Sequence, residues 1–363
     1  MKADEDRSGQ RRVQAGPGHA LAVGFEGTRI PDDLAALAER AGLGGVILFA
    51  RNCPRLETVL ALTAAARKLS PDVLVMVDHE GGPVHRLPPP FTRFPPPAAV
   101  GRCGDPRLAA AVARAMAREL RAAGFDSGLT PVLDCLLNPA CTVIGDRAFG
   151  IAPNVVAACG VAFVEALLAE GVLPVAKHFP GHGRGSVDSH LALPDVDATE
   201  EELEGADLVP FRAALGAGCP AVMVAHVRYR ALDPVLPASL SAAVIGGLLR
   251  RRLGFSGLIL SDDLEMAAVA SAWGVAGAAR QFLAAGGDLA LICRSARARD
   301  EAVAVIGDEI DRGTLDLAPA VRRRQAGRRL VGAAGPRPDV SIIGCAEHRA
   351  LGEEVARRAA ERE

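Results

Sequence analysis

The chain has 363 residues, of which 50% are apolar and 23% charged, and a formal net charge of −2 at pH 7. That is ample for a large core within one α/β domain. The charge argues against a nucleic-acid partner, because neutralising phosphates needs a basic face. With no long unbroken apolar run, no membrane-spanning segment is expected either.

In chain order, residues 1–18 (MKADEDRSGQRRVQAGPG) are polar and charged, with no apolar stretch or cleavage site of a secretion signal. A disordered tail on a cytoplasmic protein is expected. Short apolar runs follow at HALAVGF, GGVILF, VLVMV, GFDSGLT, LPVAK, PAVMVA, GLILS and DLALI. Between them lie stretches such as ETVLALTAAARKL, PRLAAAVARAMARELRAA and NVVAACGVAFVEALLAE, with apolar residues at helical spacing. Near-continuous apolar strands alternating with helices imply parallel strands covered on both faces. Eight such units over residues 19–330 predict a single-domain (β/α)₈ TIM-type barrel. A doubly wound open sheet is disfavoured, since no G-x-G-x-x-G follows the first run. Residues 331–363 are expected to form a strand and an exposed helix packed on the barrel. The eight cysteines are scattered without a C-x-x-C pair and read as reduced thiols, many of them buried. Cys135 and Cys141 are close in sequence, but no second pair completes a tetrahedral zinc site.

Polar residues stand directly after four of the runs. VLVMV precedes Asp78-His79-Glu80, LPVA precedes Lys177-His178, PAVMVA precedes His226, and GLILS precedes Asp262-Asp263. In a barrel these carboxyl ends converge on one face and form one pocket. Adjacent strand residues face opposite sides, so at most one of Asp262 and Asp263 points into the mouth. The helical pattern that follows suits Asp263 as an N-cap, leaving Asp262 as the inward carboxylate.

Residues 177–190 read KHFPGHGRGSVDSH. Pro180 and the glycines Gly181, Gly183 and Gly185 rule out a regular helix and allow a reshaped loop. Asp188 two residues before His190 can fix an imidazole tautomer and stabilise the imidazolium, which suits proton transfer near neutral pH. A hydrogen bond that merely pins the loop is the bland alternative. Ser189 lacks the G-x-S-x-G elbow of a nucleophilic serine. His178, His182, Asp188, His190 and His226 could supply a metal sphere, but His178 and His182 span a Pro-Gly turn rather than a helix, so no metal or other cofactor is expected. Asp78, Arg86, Arg147, Lys177 and His178 mix acceptors with forked and point-charge donors, a set suited to a polyhydroxylated ligand.

At these residues the chain resembles the family 3 glycoside hydrolases acting on β-N-acetylhexosaminides. KHFPGHGRGSVDSH is similar to that family's long loop motif. GGVILFARN, VDHEGGPVHRL, PVLD, NPACTVIGDRAFG, MVAHVRY and GFSGLILSDDLEMAAV follow in the family's order, covering Leu21 to Arg294. The resemblance implies Asp262 as nucleophile and His190, assisted by Asp188, as acid/base. It implies sugar contacts from Asp78, Arg86, Arg147, Lys177 and His178, with Met223 and His226 near the pocket wall. It further implies a retaining β-N-acetylhexosaminidase that removes N-acetylglucosamine from 1,6-anhydro-N-acetylmuramic acid, with or without peptide, during peptidoglycan recycling. His79 and Pro83 stand where Gln and Arg are usual, and Cys141-Thr142 lies in a lengthened segment, departures that bear on substrate selectivity.

A monomer acting on a small carbohydrate is expected, because one Trp and one Tyr cannot build an extended aromatic platform for polysaccharide. Phosphorolysis on the same scaffold, metal-dependent hydrolysis and substrate-assisted catalysis by the acetamido group are the competing readings.

Overall fold

The computed structural model describes residues 15–189 and 191–362. Its strands are β1 Leu21–Val23, β2 Gly45–Leu48, β3 Leu74–Val77, β4 His79–Gly81, β5 Val84–His85, β6 Ala176–Phe179, β7 Asp195–Val196, β8 Ala221–Val224, β9 Arg228–Tyr229, β10 Leu258–Asp263 and β11 Leu289–Ile292. Seven of them form one parallel sheet in the order β3-β2-β1-β11-β10-β8-β6. The eighth expected run, GFDSGLT, is not a regular strand. It bridges to β3 at Met76–Ser127, and the chain just beyond it bridges to β6 at Val132–Lys177. Main-chain bonds from Val77 N to Ser127 O (3.2 Å) and from Val175 N to Thr130 O (2.9 Å) close the ring on both sides. The irregularity has a local cause: Gly128 lacks a side chain to pack, Pro131 lacks a donor, and Leu129 adopts φ 47°. The result is a TIM-type α/β barrel closed by an irregular eighth segment.

Strand alternation separates two cores. Ala22, Ile47, Leu74, Met76, Met223, Leu258, Leu260, Leu289 and Leu291 fill the barrel interior. Their neighbours Val23, Val46, Leu48, Val75, Val222 and Ile259 pack outward among the helices. Two buried carboxylates tie the opposite end of the barrel together. Asp126 accepts the Val75 N–H (2.9 Å) and pairs with Arg67, while Asp288 accepts the Ile259 N–H (2.8 Å) and pairs with Arg250 and Arg323.

The ends of the chain differ from expectation. Pro17–Ala20 forms a 3-10 turn with Gly18 buried, so ordered structure begins before residue 19; residues 1–14 of the expected tail lie outside the described residues. Beyond residue 330 no strand forms among the described residues. The helix Ala318–Ala333 crosses that boundary, Val340–Ile342 is a 3-10 turn, and Ala346–Ala360 is a helix packed on Pro97–Arg102 and Pro106–Ala122. All eight cysteines are free thiols, and all but Cys345 are buried. No helix among the described residues is long and apolar enough to cross a membrane.

Candidate active site

The interior parity of the strands runs on into chemistry at their carboxyl ends. Leu74 and Met76 are followed inward by Asp78 and Glu80, Val175 by Lys177, and Leu258 and Leu260 by Asp262. These side chains, with Arg86, Arg147, His178 and Met223, line a cavity of about 180 Å³ whose remaining walls include Ile47, Phe49, Leu291 and Cys293. Lys177 and His178 are adjacent, yet both line it. The β6–β8 ladder shifts register between Ala176 and Phe179, which breaks strict alternation. The β10–β11 ladder shifts in the same way between Leu260 and Asp263. Asp263 therefore lines the cavity beside Asp262, contrary to the expectation that only one of the pair could. Nor is Asp263 an N-cap. Its Oδ1 accepts the Glu265 N–H at 3.1 Å in a turn, and the helix Ala267–Trp273 starts after Met266.

Glu80, which the sequence reading passed over, is the hub. It takes a bidentate pair from Arg147 (2.8 Å each) and a 2.6 Å contact from Lys177, whose ammonium also donates to Asp78 at 2.9 Å. Burial alone would raise the Glu80 carboxyl, but Lys177 and Arg147 hold it far below the usual carboxylate range. A buried carboxylate with two cations fixes both donors in place and leaves their remaining N–H groups available to ligand hydroxyls.

Asp134 is the second support that the sequence reading left without a role. Its Oδ2 accepts from His178 Nδ1 at 2.6 Å, and its Oδ1 accepts the main-chain N–H groups of His178 (3.2 Å) and His182 (2.7 Å). With the His178 proton on Nδ1, its Nε2 is an acceptor, 3.3 Å from Arg147 Nη2. His226 is completely buried and stands behind the wall rather than in the cavity. Its parity explains this, since Val222 and Val224 also face outward. Its Nε2 lies 3.0 Å from the Asp263 carbonyl, which can only accept, so Nε2 carries the proton and Nδ1 accepts from Ser239 Oγ at 2.7 Å. The Asp263 N–H in turn donates to Asp262 Oδ1 at 2.8 Å. His226 thus orients the peptide that orients the carboxylate.

Burial pushes Asp262 up, but His178, His226, that N–H and Lys177 pull it down to about 2, so it is ionised at neutral pH. Asp188 is half-buried outside the cavity lining, and its carbonyl accepts the N–H groups of Leu191 and Ala192. His190 lies outside the described residues. Among the described residues no three His, Cys, Asp or Glu side chains converge as a metal site.

A TIM-type barrel with an ionised carboxylate beside mixed acceptors and forked donors, at the carboxyl ends of its strands, fits a glycoside hydrolase. Residues 13–325 match the glycosyl hydrolase family 3 N-terminal domain, and the chain belongs to this family. The β-hexosaminidase of Alkalilimnicola ehrlichii is 44% identical over 280 residues, covering 75% of this chain and 80% of that protein. That of Methylococcus capsulatus is 41% identical over 303 residues, 83% and 88% of the two chains. Among solved structures, a family 3 β-N-acetylglucosaminidase from Paenibacillus sp. FPU-7 superposes with a TM-score of 0.91 at 33% identity, over 96% of this chain and 68% of that one. NagZ from Neisseria gonorrhoeae, in complex with N-trifluoroacetyl-D-glucosamine, superposes with a TM-score of 0.77 at 34% identity, over 94% and 98%. The chain is a glycoside hydrolase of the β-hexosaminidase type.

Proposed function

We propose that the enzyme is a retaining β-N-acetylglucosaminidase acting on small peptidoglycan fragments, with N-acetylglucosaminyl-1,6-anhydro-N-acetylmuramic acid as its core substrate. The observation that carries this reading is Asp262, ionised and facing a small cavity together with Asp78, Arg86, Arg147, Lys177 and His178. Such a cavity suits one terminal sugar. The lone tyrosine is buried on the Gly181 carbonyl and offers no stacking surface for a longer glycan. The N-acylglucosamine bound by the Neisseria gonorrhoeae relative supports the sugar assignment.

In the proposed mechanism an Asp262 oxygen attacks the anomeric carbon while His190, paired with Asp188, protonates the leaving oxygen. The glycosyl ester on Asp262 is then hydrolysed by water that the neutral His190 deprotonates, returning the proton for the next cycle. The substrate would be met in the cytoplasm by a monomer, with no metal or other cofactor taking part. Asp262→Ala is expected to abolish release of N-acetylglucosamine from anhydro-muropeptides. A slow fluorinated substrate should leave a sugar mass on the peptide containing Asp262. Retained turnover in the variant would overturn the assignment; loss of turnover with no adduct on any peptide would shift the nucleophile to the substrate's own acetamido group.

A further inference from the structure

The loop between β6 and β7 is pinned at its base by three elements. Tyr229 Oη donates to the Gly181 carbonyl at 2.7 Å, Arg184 Nε to Asp207 Oδ2 at 2.8 Å, and the Asn138 N–H to the Gly183 carbonyl at 2.9 Å. Gly183 is obligatory here, because a Cβ would stand 1.8 Å from the Cys135 carbonyl oxygen. From that base the chain runs outward, with Ser186 and Val187 exposed, and then returns to burial at Ser189. The return is held at two points. Ser189 Oγ lies 3.0 Å from His182 Nε2, and the Ser189 carbonyl accepts the Ala268 N–H at 3.2 Å. Both His182 and Ser189 are buried in the wall of the cavity that Asp262 faces.

The proton placement on His182 follows from its surroundings. Its Nδ1 is buried without a hydrogen-bond partner. An unpaired buried N–H costs more than an unpaired ring acceptor, so the proton sits on Nε2 and is donated to Ser189 Oγ. The His182 backbone is itself fixed, since its N–H donates to Asp134, the carboxylate that also holds His178. Ser189 is therefore connected, through His182 and Asp134, to the sugar-binding His178 and Arg147. It is also the residue next to His190 in the chain.

We propose that the His182–Ser189 hydrogen bond is the clasp that holds the far end of this loop at the cavity, making His182 and Ser189 positioning residues for proton donation by His190. The inference rests on the reading of His190 as acid/base. It gives Ser189 a task other than nucleophilic attack, and His182 a task other than metal binding.

The test measures kcat and KM of the full chain on 4-nitrophenyl β-N-acetylglucosaminide, whose leaving group needs little protonation, and on a simple alkyl β-N-acetylglucosaminide, whose leaving group needs a great deal. Ser189→Ala and His182→Leu should lower kcat/KM on the alkyl glycoside, which reports the first step alone and not the later hydrolysis that His190 also serves, about 10- to 100-fold, the size of effect that misplacing a reacting group by about 1 Å produces. Both should leave kcat/KM on the aryl glycoside nearly unchanged. His182→Gln, whose amide N–H reaches to where Nε2 stood, should recover most of the loss. Equal losses on the two substrates, or wild-type rates on the alkyl glycoside, would overturn the clasp, as would a His182→Gln variant no better than His182→Leu. Disappearance of the basic limb of the pH profile in His182→Gln would also overturn it, by making His182 the proton donor. His190→Ala is the reference: if it too lowers kcat/KM equally on both substrates, the acid/base reading itself falls, and that result is distinct from a failure of the clasp alone.

Discussion

Asp262 and Asp263 are chain neighbours in one cavity wall with opposite electrostatic fates. Asp262 is surrounded by His178, His226 and Lys177 and stays ionised. Asp263 is pushed up to about 7 by burial, with Glu265 and Asp262 adding to the rise. Glu265 cannot move away to relieve it, because its carboxylate accepts the N–H groups of Arg294 (2.6 Å) and Ser295 (3.0 Å). A carboxyl whose folded value lies above its unfolded value of 3.8 binds its proton more tightly in the native state. Stability from this site is therefore fully present below pH 3.8 and is lost as pH rises towards about 7. Asparagine keeps the acceptor for the Glu265 N–H and does not titrate. The melting temperature of Asp263→Asn should accordingly rise relative to wild type as pH goes from 4 to 8, with the gain levelling off above about 7. A constant difference across that range would show that Asp263 titrates normally.

The β4–β5 hairpin carries Glu80 on the cavity side and leads into Arg86, so the wall of the cavity that Asp262 faces depends on it. Its other face holds His79 and His85, with ring centroids 4.6 Å apart, beside Phe91. The Nδ1 of His79 and both ring nitrogens of His85 are buried without hydrogen-bond partners. Burial lowers both imidazoles, His79 to about 3 with the His85 charge adding to the effect and Glu80 opposing it. His85 falls to about 4, with Arg93 and Arg86 adding and Glu119 opposing. Bases with depressed folded values give stability that is complete above the unfolded value near 6.5 and lost as pH falls through the folded values. His79→Gln removes one such proton sink. Between pH 6.5 and 4 its melting temperature should fall less steeply than that of wild type; parallel curves would mean the pair does not govern acid sensitivity. The same hairpin shows where the sequence was legible. Seven of eight runs became barrel strands because their apolar faces are continuous, and Asp78, Lys177 and Asp262 could be placed because polar groups after such runs must surface at one rim. Glu80 was hidden because it lies beyond the strand proper, although the parity of Leu74, Met76 and Asp78 points to it. His226, which the resemblance put near the pocket wall, stands just behind it on the outward parity of Val222 and Val224. The paired inward Asp262 and Asp263 were illegible, because a register shift leaves no mark on an apolar pattern.

At the scale of the molecule, the C-terminal helix reaches the cavity that Asp262 faces through a chain of buried contacts. His348 Nδ1 donates to Glu119 Oε1 at 2.8 Å, and the Gly344 N–H donates to the same oxygen at 3.0 Å. Glu119 also accepts from Thr92, through its N–H at 2.9 Å and its hydroxyl at 2.6 Å. Thr92 lies in the Pro-rich loop LPPPFTRFPPP, whose Phe94 carbonyl accepts the Gly82 N–H of the β4–β5 hairpin at 2.9 Å. Burial would raise Glu119, but these donors, His348 first among them, hold it below the usual carboxylate range. His348→Ala removes one hydrogen bond to a buried charge and should cost roughly 2 kcal/mol of stability. If the contacts act as one unit, it should also raise KM, because the Pro-rich loop that backs the hairpin is loosened. The control is Ile306→Ala, a completely buried residue in the helix Ala296–Asp311 outside this chain of contacts. It should cost about 2–5 kcal/mol through its cavity while leaving KM unchanged. Urea titrations give the two stabilities and steady-state kinetics the two KM values. A KM that follows stability equally in both variants would mean that the C-terminal helix supports the fold alone, with no particular hold on the cavity.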